Sequence, residues 1–491
     1  MKSKFSKVLS ILLSVVLVIS SFYLLYQVIR LNVLPTKFLF PLTIGVVVLD
    51  AIFILLLIYF SKNVVSKIVC IVLTLFICVA SCMGGYYISK TQNVLSNITN
   101  VAKHAKNTVS VIVKESSSIK NKSQLNGVSV GSLRLNEQGS NKVLKELSSE
   151  GIVLNQTEYD SMTALLEAFY NGEVDSIIIN ESSRSQILDM EAYSNFDSNT
   201  RVVYQTSYKV KNNDSATSVS DITSKPFNVL ISGSDTRGGF DENGRSDVIM
   251  VATVNPKTHT ILLTSVPRDF YVTTACDAGD GCMQGALDKI THTGIHGTNT
   301  TKRTVEQLLG IEINYTFKVG FDTVTKLVDT LGGVDVYVEP GYAVHNEYIN
   351  VKEGVNHLYG EEALEYARER YAYAEGDRQR TKNQQQVLMG IVKEATKPSV
   401  ITNYAAIMDT MANTFSTTMS NEEITDLIKY QLNNNPTWKM EQYMVDGTGD
   451  TLMCAELGDA ASVMVPDQST VKMAKDKINA VLAGKSSEDV K

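Results

Sequence analysis

The chain has 491 residues, and its 45 lysines and arginines against 52 aspartates and glutamates give a formal net charge of −7. Hydrophobic residues make up 44% of the sequence, which predicts packed cores and excludes a chain that is disordered throughout. The six cysteines contain no CxxC pair and the six histidines form no His-rich cluster, so no zinc-binding module is expected.

Three apolar runs near the N-terminus predict a membrane anchor over residues 8–88. They are VLSILLSVVLVISSFYLLYQVI from Val8, FLFPLTIGVVVLDAIFILLLIYF from Phe38 and IVCIVLTLFICVASCMGGYYI from Ile68. Each run reaches the roughly 20 residues that a helix needs to cross a hydrocarbon core about 30 Å thick. The first run is too long for a cleaved signal peptide, lacks a small-residue cleavage site and is followed by two more spans.

Basic residues favour one orientation of this anchor. On one side of the membrane the sequence places Lys2, Lys4, Lys7, Lys62 and Lys67, and on the other side it places Arg30 and Lys37. Because positive charge collects on the inner side, residues 1–7 are predicted to be a cytoplasmic tail. Everything after residue 88 is then expected outside the cell.

A polar stalk over residues 89–110 is predicted to lead into a small α/β accessory domain over residues 111–215. GVSVGSL, IVLNQT and EVDSIIIN read as strands, and NKVLKELSSEG and MTALLEAFYNG as helices, at the spacing of βαβ units. The stretch ALLEAFYNGEVDSIII resembles half of a periplasmic solute-binding protein, but a spacer or interaction module without a ligand fits equally. The polar segment 209–226 has the composition of a domain boundary.

A predicted β-hairpin then brings two charged residues together. FNVLISGSD reads as a strand that ends at Asp235, and DVIMVATVNPKTHTILLTSVPRD reads as two strands joined by a turn. If the strands at about 248–254 and 260–266 pair antiparallel, Asp247 and Arg268 must share one edge of the sheet. Asp235 reaches the same edge if its strand is also antiparallel to the first of these two.

Two neighbouring carboxylates could hold a divalent cation, act as an acid/base pair, or serve as loop caps. Mg²⁺ prefers one or two carboxylates, several waters and the phosphate oxygens of a substrate. With Arg245 and Arg268 alongside, the hairpin geometry favours a metal site for Asp235 and Asp247.

An arginine-rich stretch, YARERYAYAEGDRQRTKNQQQ, covers residues 366–386. Arg368 and Arg370 cannot share one face of a helix, but they can do so if the chain becomes extended there. A second helix is expected to begin near Asp377, with Arg380 and Gln384 on one face. Its first turn predicts an anion site, because free backbone N–H groups and guanidinium forks both bind phosphate. The alternative is a solvated charged face.

Cys276 and Cys282 lie in the loop TTACDAGDGCMQGA, where a disulfide could form in an oxidising compartment. Two free thiols are the alternative. Cys70, Cys78 and Cys82 fall in the third apolar run, where they are expected to be small apolar filler.

Several motifs in order resemble the LytR-CpsA-Psr family of cell-wall enzymes, and within it the streptococcal capsule-associated CpsA proteins. These motifs are NVLISGSDTR, RSDVIMVATVNPKT, LTSVPRD, KLVDTLGGVDV, LYGEEALEYARER and GDRQRTKNQQ. The resemblance covers about residues 226–400 and implies an α/β/α catalytic domain with a mixed central sheet over residues 226–485. It also implies a phosphotransferase that moves a glycan from a polyprenyl-pyrophosphate carrier to peptidoglycan.

The resemblance further implies roles for individual residues. Asp235 and Asp247 would hold Mg²⁺, with Mn²⁺ as an alternative, and the expected catalytic residues are Arg245, Arg268, Arg368 and Arg370. Substrate binding is expected from Arg380, Gln384 and Lys302, the last carried over less securely because CDAGDGCMQG enlarges the loop before it. Many family members have an arginine where this chain has Asn383, which makes tight binding of the distal phosphate less assured.

The expected partners are a polyprenyl-pyrophosphate-linked glycan, peptidoglycan and the lipid bilayer, with capsule export proteins as a further option. The apolar segments VEQLLGIEI and FDTVTKLVDTLGGVDVYV could line a lipid channel or belong to the core. One alternative is a membrane-bound regulator of capsule synthesis with a DNA-binding cytoplasmic tail. That tail is too short for a base-reading element, so specific DNA binding is not expected. A polyprenyl-pyrophosphate hydrolase would have the same site, with water as the acceptor.

Overall fold

The computed structural model describes residues 2–60, 63–99, 104–234, 242–276, 282–397, 400–411 and 415–491. The chain forms two compact units. One unit consists of Met1–Thr99, Val392–Ala412 and Ser420–Thr437, and the other of Asn100–Ile391, Asn413–Met419 and Trp438–Lys491.

The first unit contains three long apolar helices. They are α1 (Lys2–Leu31), α2 (Thr36–Leu55), which continues as a π-helical turn over Leu56–Phe60, and α3 (Val64–Thr99). By length and composition, Lys7–Leu31, Thr36–Phe60 and Val64–Thr99 could each cross a membrane, which confirms the three predicted spans. Helix α3 continues into the segment predicted as a stalk. Ser21 on α1 donates a hydrogen bond of 2.9 Å to Asp50 on α2, which joins these two helices through buried polar side chains.

Two helices from late in the chain belong to the same unit. They are α12 (Val400–Met411) and α13 (Asn421–Asn434). Helix α12 packs against α3, and Lys90 Nζ on α3 lies 2.9 Å from Asp409 Oδ2 on α12. Ser420 caps the start of α13, because its hydroxyl accepts a hydrogen bond from the backbone N–H of Glu423.

The accessory region of the second unit is a five-stranded sheet in the order β3-β2-β4-β1-β5. The strands are β1 (His104–Lys114), β2 (Ser129–Leu133), β3 (Asn155–Tyr159), β4 (Ser176–Asn180) and β5 (Thr200–Lys211). The helices are α4 (Glu137–Ser149), α5 (Met162–Asn171), α6 (Arg184–Asp189) and the short α7 (Phe196–Asn199). The predicted strands and helices are all present. The sheet also contains β1 and β5, and β1 begins inside the segment predicted as a stalk.

The second sheet has six strands in the order β16-β11-β6-β7-β8-β17. They are β6 (Phe227–Ser234), β7 (Ser246–Asn255), β8 (Thr260–Ser265), β11 (Tyr315–Gly320), β16 (Phe415–Thr417) and β17 (Lys439–Met444). Strand β7 is antiparallel to both β6 and β8, whereas β11 is parallel to β6 and β17 is parallel to β8. The predicted mixed sheet is therefore confirmed.

The helices of this region are α8 (Thr298–Leu309), α9 (Phe321–Leu331), α10 (Gly360–Arg368), α11 (Asp377–Ala395) and α14 (Gln468–Leu482). Smaller pairs of strands are β9 (Tyr271–Thr273) with β10 (Leu287–Lys289), β12 (Val334–Val338) with β15 (Gly354–Leu358), β13 (Val344–His345) with β14 (Asn350–Val351), and β18 (Gly447–Cys454) with β19 (Asp459–Pro466). The two apolar segments that could line a lipid channel both contribute to the core clusters. Their fully buried residues include Val305 and Leu309 in the first segment and Val328 and Val334 in the second.

Cys276 and Cys282 form a disulfide, with their Cα atoms 5.7 Å apart. This confirms the bridge over the alternative of two free thiols.

We expect replacement of both cysteines by serine to lower the free energy of unfolding by roughly 2 kcal/mol, because the bridge closes a short loop in the unfolded chain. Thermal unfolding in detergent measures the change. A reductant should destabilise the wild-type protein and leave the double variant unchanged; an equal response of both would contradict the prediction.

Candidate active site

The β7–β8 hairpin positions the centre of the candidate site. Because Met250 pairs with Ser265, the start of β7 adjoins the end of β8, and Arg268 Nη1 donates to Asp247 Oδ1 at 2.9 Å. The predicted meeting of these two residues at one sheet edge is therefore confirmed. The hydroxyl of Thr291 donates to the same oxygen at 3.3 Å.

Strand β6 ends at the same edge. It is antiparallel to β7, as predicted, and Ser234 pairs with Ser246 after a one-residue irregularity in the register. The chain therefore leaves β6 next to the start of β7. Asp235 itself, predicted as a metal ligand, lies outside the described residues, so its role stays a prediction.

Arg245 is the second guanidinium beside Asp247. Its side chain is only 10% exposed, and its Nη2 lies 3.9 Å from Asp247 Oδ2. Its Nη1 donates a short hydrogen bond to Asp189 Oδ2, at the end of α6 in the accessory region. Burial raises the pKa of Asp247, but the charges of Arg245 and Arg268 outweigh burial and hold that pKa below its ordinary value. Asp247 is therefore an anion at neutral pH.

Arg380 adds a third buried guanidinium, from the first turn of α11. Its Nη2 pairs with Asp377 Oδ1 in the same turn. Burial lowers the pKa of Arg380, and the charges of Arg268 and Arg370 act in the same direction, against those of Asp377 and Asp247. Asp247, Arg268 and Arg370 thus act on Arg380 through their charges, and we call Asp247 with Arg245, Arg268 and Arg380 the Asp247 cluster. Burial also lowers the pKa of Arg268, but Asp247 and Asp269 raise it above its ordinary value.

Arg368 and Arg370 follow from the end of α10. The helix ends at Arg368, and Glu369 is extended with φ −64° and ψ 127°, as the sequence predicted. The Arg370 guanidinium lies 4.7 Å from the centre of the Tyr371 ring, and its charge acts to lower the pKa of Arg380. Arg368 is half-exposed and stacks over Phe321, with Glu365 3.8 Å away. Arg370 therefore acts on the cluster through its charge, whereas these partners of Arg368 lie outside the cluster.

Lys302 is buried on α8 and faces the linker between the two sheets. Its Nζ donates to the backbone carbonyl of Ser215 at 3.3 Å. Burial raises the pKa of the neighbouring Asp214 to about 6, while the charges of Lys318 and Lys302 act to lower it. The contacts of Lys302 are therefore with the linker rather than with the Asp247 cluster.

Asn383 and Gln384 have different surroundings on α11. The Asn383 side chain is fully buried, and its Nδ2 donates to the carbonyl of Tyr366 at 3.0 Å and to the hydroxyl of Tyr373 at 3.2 Å. The position where many family members have an arginine thus ties α11 to α10. Gln384 is partly buried on the face next to it.

The cluster contains buried donors that lack acceptors. Among the residues that the structure describes, the Nε atoms of Arg245, Arg268 and Arg380 have no hydrogen-bond partner. Carboxylates pair with the outer nitrogens of the three guanidinium groups, and the Asp269 carboxylate lies 3.8 Å from Arg268 Nε, beyond hydrogen-bonding distance. A buried donor without an acceptor costs about 1–3 kcal/mol. Three such donors around one site are therefore suited to an anion with several oxygens, such as a phosphate or pyrophosphate group.

The described residues also fit a divalent cation, in part. Within the described ranges, no group of three or more His, Cys, Asp or Glu side chains could hold a metal by itself. Asp247 supplies one ionised carboxylate, and within the described residues its Oδ2 is paired with Arg245 Nη2 at 3.9 Å. Mg²⁺ takes one or two carboxylates together with water and phosphate oxygens, so this donor set suits it.

Two contacts in the site could not be found from the sequence. Asp189 reaches Arg245 from the accessory region, and no local pattern links two residues so far apart in the chain. Thr291 lies in the 3₁₀-helix Ile290–His296, whose sequence carries no recognisable motif. Only the packing of that helix beside β7 brings its hydroxyl to Asp247.

The mixed sheet and its cluster of arginines around a carboxylate define an α/β domain built to hold a polyanionic group. The family model described as the LytR_cpsA_psr family matches residues 192–480, and the chain belongs to this family.

Its relatives carry a specific activity in their names. The chain is 30% identical over 241 residues, 48% of its own length and 76% of the relative, to the polyisoprenyl-teichoic acid–peptidoglycan teichoic acid transferase TagU of Bacillus cereus (strain AH820). It is 34% identical over 203 residues, 41% of its length and 63% of the relative, to TagU of Bacillus subtilis (strain 168). The crystal structure of B. subtilis TagU is 29% identical, with a TM-score of 0.40, and the match covers 52% of this chain and 97% of that one.

Proposed function

We propose that the protein is a membrane-anchored extracellular phosphotransferase that moves a capsular or related cell-wall glycan from a polyprenyl-pyrophosphate carrier to peptidoglycan. The observation that carries this proposal is the buried Asp247 with the guanidinium groups of Arg245 and Arg268 beside it, each with an Nε that has no hydrogen-bond acceptor among the described residues. The names of the relatives, which are transferases of teichoic acid to peptidoglycan, supply the class of substrate.

In the proposed reaction, a hydroxyl of peptidoglycan attacks the phosphorus that carries the glycan. The new P–O bond replaces the bond to the bridging oxygen, and polyprenyl phosphate leaves with that oxygen. Arg245, Arg268 and Arg380 would bind the pyrophosphate oxygens through their Nε atoms and hold the phosphorus in line with the hydroxyl. Such transfer depends mainly on positioning and on neutralising charge.

Mg²⁺, or Mn²⁺ in its place, held by Asp247 and Asp235, would neutralise further charge on the phosphate oxygens when bound. The proton of the attacking hydroxyl must go to a base. Asp247 is poorly suited to accept it, since its pKa is held below the ordinary value and its Oδ1 already accepts two hydrogen bonds. Asp247 is therefore assigned to charge and metal binding.

Product analysis tests this function. The detergent-solubilised protein is incubated with a polyprenyl-pyrophosphate-linked glycan and peptidoglycan fragments, and the products are identified by mass spectrometry. Polyprenyl phosphate together with a glycan–peptidoglycan phosphodiester is the expected result. Polyprenyl phosphate with free glycan phosphate, at a rate independent of peptidoglycan, would instead identify a hydrolase.

We expect deletion of residues 1–7 to leave transfer within about twofold of the wild-type rate. The site residues all lie beyond the three spans, and the tail offers only a few lysines to any partner. Because the deletion removes positive charge that orients the anchor, protease protection must first show that the topology is unchanged. A large loss of transfer with normal topology would favour the regulator with a cytoplasmic function.

A further inference from the structure

The accessory region touches the candidate active site directly. Asp189 is the last residue of α6, and among the described residues its carboxylate is the closest anion to Arg245, since Asp247 lies farther away at 3.9 Å. Helix α6 is itself held firmly. Arg184 at its start is buried and is bound by Glu181 at 2.6 Å and by Asp197 at 3.0 Å. Asp189, whose side chain is half-exposed, therefore reaches Arg245 from a helix that is anchored at its first residue.

A second contact with the accessory region fixes the other end of the short segment 242–245, which contains Arg245. Glu242 is buried, and its Oε1 accepts hydrogen bonds from the Thr108 hydroxyl at 2.5 Å and from Lys106 Nζ at 3.2 Å, both on β1. The backbones of Lys106 and Glu242 also form an isolated parallel bridge. The accessory region thus holds residues 242–245 at both ends, directly before β7 brings Asp247 into the site.

The Asp189 contact could serve to orient Arg245 or to occupy the place of the substrate anion. Asp189 binds one terminal nitrogen, Nη1, and the Nε of Arg245 has no acceptor within the described part of the chain. Asp189 therefore leaves the Nε donor unused. This geometry favours orientation over occupancy. An accessory domain that served only as a spacer would need no charged contact with the active site.

We propose that the accessory domain is a working part of the active site, and that Asp189 is a positioning residue that orients Arg245 towards the pyrophosphate of the lipid-linked substrate. This inference rests on the proposed function, because Arg245 must first bind the pyrophosphate there. It gives the accessory domain a role that requires no ligand of its own.

The test uses the full-length protein in detergent and the transfer assay described above. Asp189→Asn keeps the shape of the side chain and removes its charge. We expect a decrease in kcat/KM of about 10- to 100-fold, since a misplaced catalytic group costs that much. The loss should fall on the same parameter, kcat or KM, that Arg245→Ala changes. Asp189→Glu should restore part of the activity.

Two controls separate orientation from a general structural effect. Glu191→Gln removes an exposed carboxylate two residues away and should leave transfer unchanged. In the Arg245→Ala background, Asp189→Asn should cause no further loss, because the group that it positions is absent. Thermal unfolding of Asp189→Asn is measured in parallel to check that the variant is folded. If Asp189→Asn lowers transfer by the same factor in the Arg245→Ala protein as in the wild type, the proposal is overturned.

Other outcomes also decide the question. Normal kinetics of Asp189→Asn, together with an inactive Arg268→Ala variant, would refute the positioning role and leave the proposed function intact. Faster transfer by Asp189→Asn would show that the carboxylate competes with the substrate and would refute it as well. Normal transfer by Arg268→Ala would instead count against the proposed function.

Discussion

Arg268→Ala should reduce transfer by about 10³- to 10⁵-fold, the range for an arginine that stabilises the transition state of phosphoryl transfer. Arg268 holds Asp247 at 2.9 Å, and its Nε has no hydrogen-bond partner among the described residues, so its loss removes both a substrate donor and the partner of a buried anion. Initial rates of release of polyprenyl phosphate measure the effect.

Two matched variants sharpen this prediction. Arg268→Lys keeps the positive charge but loses the planar fork, so activity between that of the wild type and Arg268→Ala is expected. Arg378→Ala removes an arginine next to the site in sequence, whose Nε contacts Asp446 at 2.8 Å, and should leave the rate within a few-fold of wild type. Near-normal transfer by a folded Arg268→Ala protein would remove Arg268 from the site.

Asp247→Asn is expected to lower the transfer rate and to weaken its dependence on Mg²⁺ together. The amide keeps the size of the side chain but cannot neutralise Arg245 and Arg268 or hold a cation as a carboxylate does. Breaking a buried ion pair also costs about 3–5 kcal/mol of stability, so folding is checked by thermal unfolding. The decisive measurement is the rate as a function of Mg²⁺ concentration.

Asp269, the carboxylate next to Arg268 in sequence, provides the control for the Asp247→Asn experiment. Asp269 lies 3.8 Å from Arg268 Nε and 3.2 Å from Lys289, and Asp269→Asn should leave the Mg²⁺ titration unchanged. An unaltered titration in Asp247→Asn would assign the metal to other residues. The stability of the wild-type protein should also exceed that of Asp247→Asn near neutral pH, and this difference should shrink in acid. Because the folded-state pKa of Asp247 is depressed, its contribution is present above the ordinary value of about 4 and is lost as pH falls below it.

The sequence predicted the centre of the site because local rules determine it. A hairpin with a short turn fixes which residues share a sheet edge, and this was enough to bring Asp247 to Arg268. The end of α10 at Arg368 followed in the same way from the spacing of two arginines. These features depend on neighbours along the chain, so they can be predicted from the sequence alone.

Other features depend on packing between distant segments. The Asp189 contact joins the accessory region to the site, and Lys302 faces the linker because of how that linker crosses α8. The sequence did not predict the first residues of strand β1, because HAKNT has the composition of a polar linker and only its pairing with β5 makes it a strand. Asn383 is polar yet fully buried, a state that only the carbonyl of Tyr366 and the hydroxyl of Tyr373 explain.

The pairing of α12 with α3 has a consequence for any proteolytic release of this protein. The family match includes α12, yet α12 packs against a membrane helix and is joined to it by Lys90 and Asp409. A fragment cut after Thr99 would carry α12 away without its partner helix. Such a fragment would therefore lack both the Lys90–Asp409 ion pair and the surface of α3 on which α12 packs.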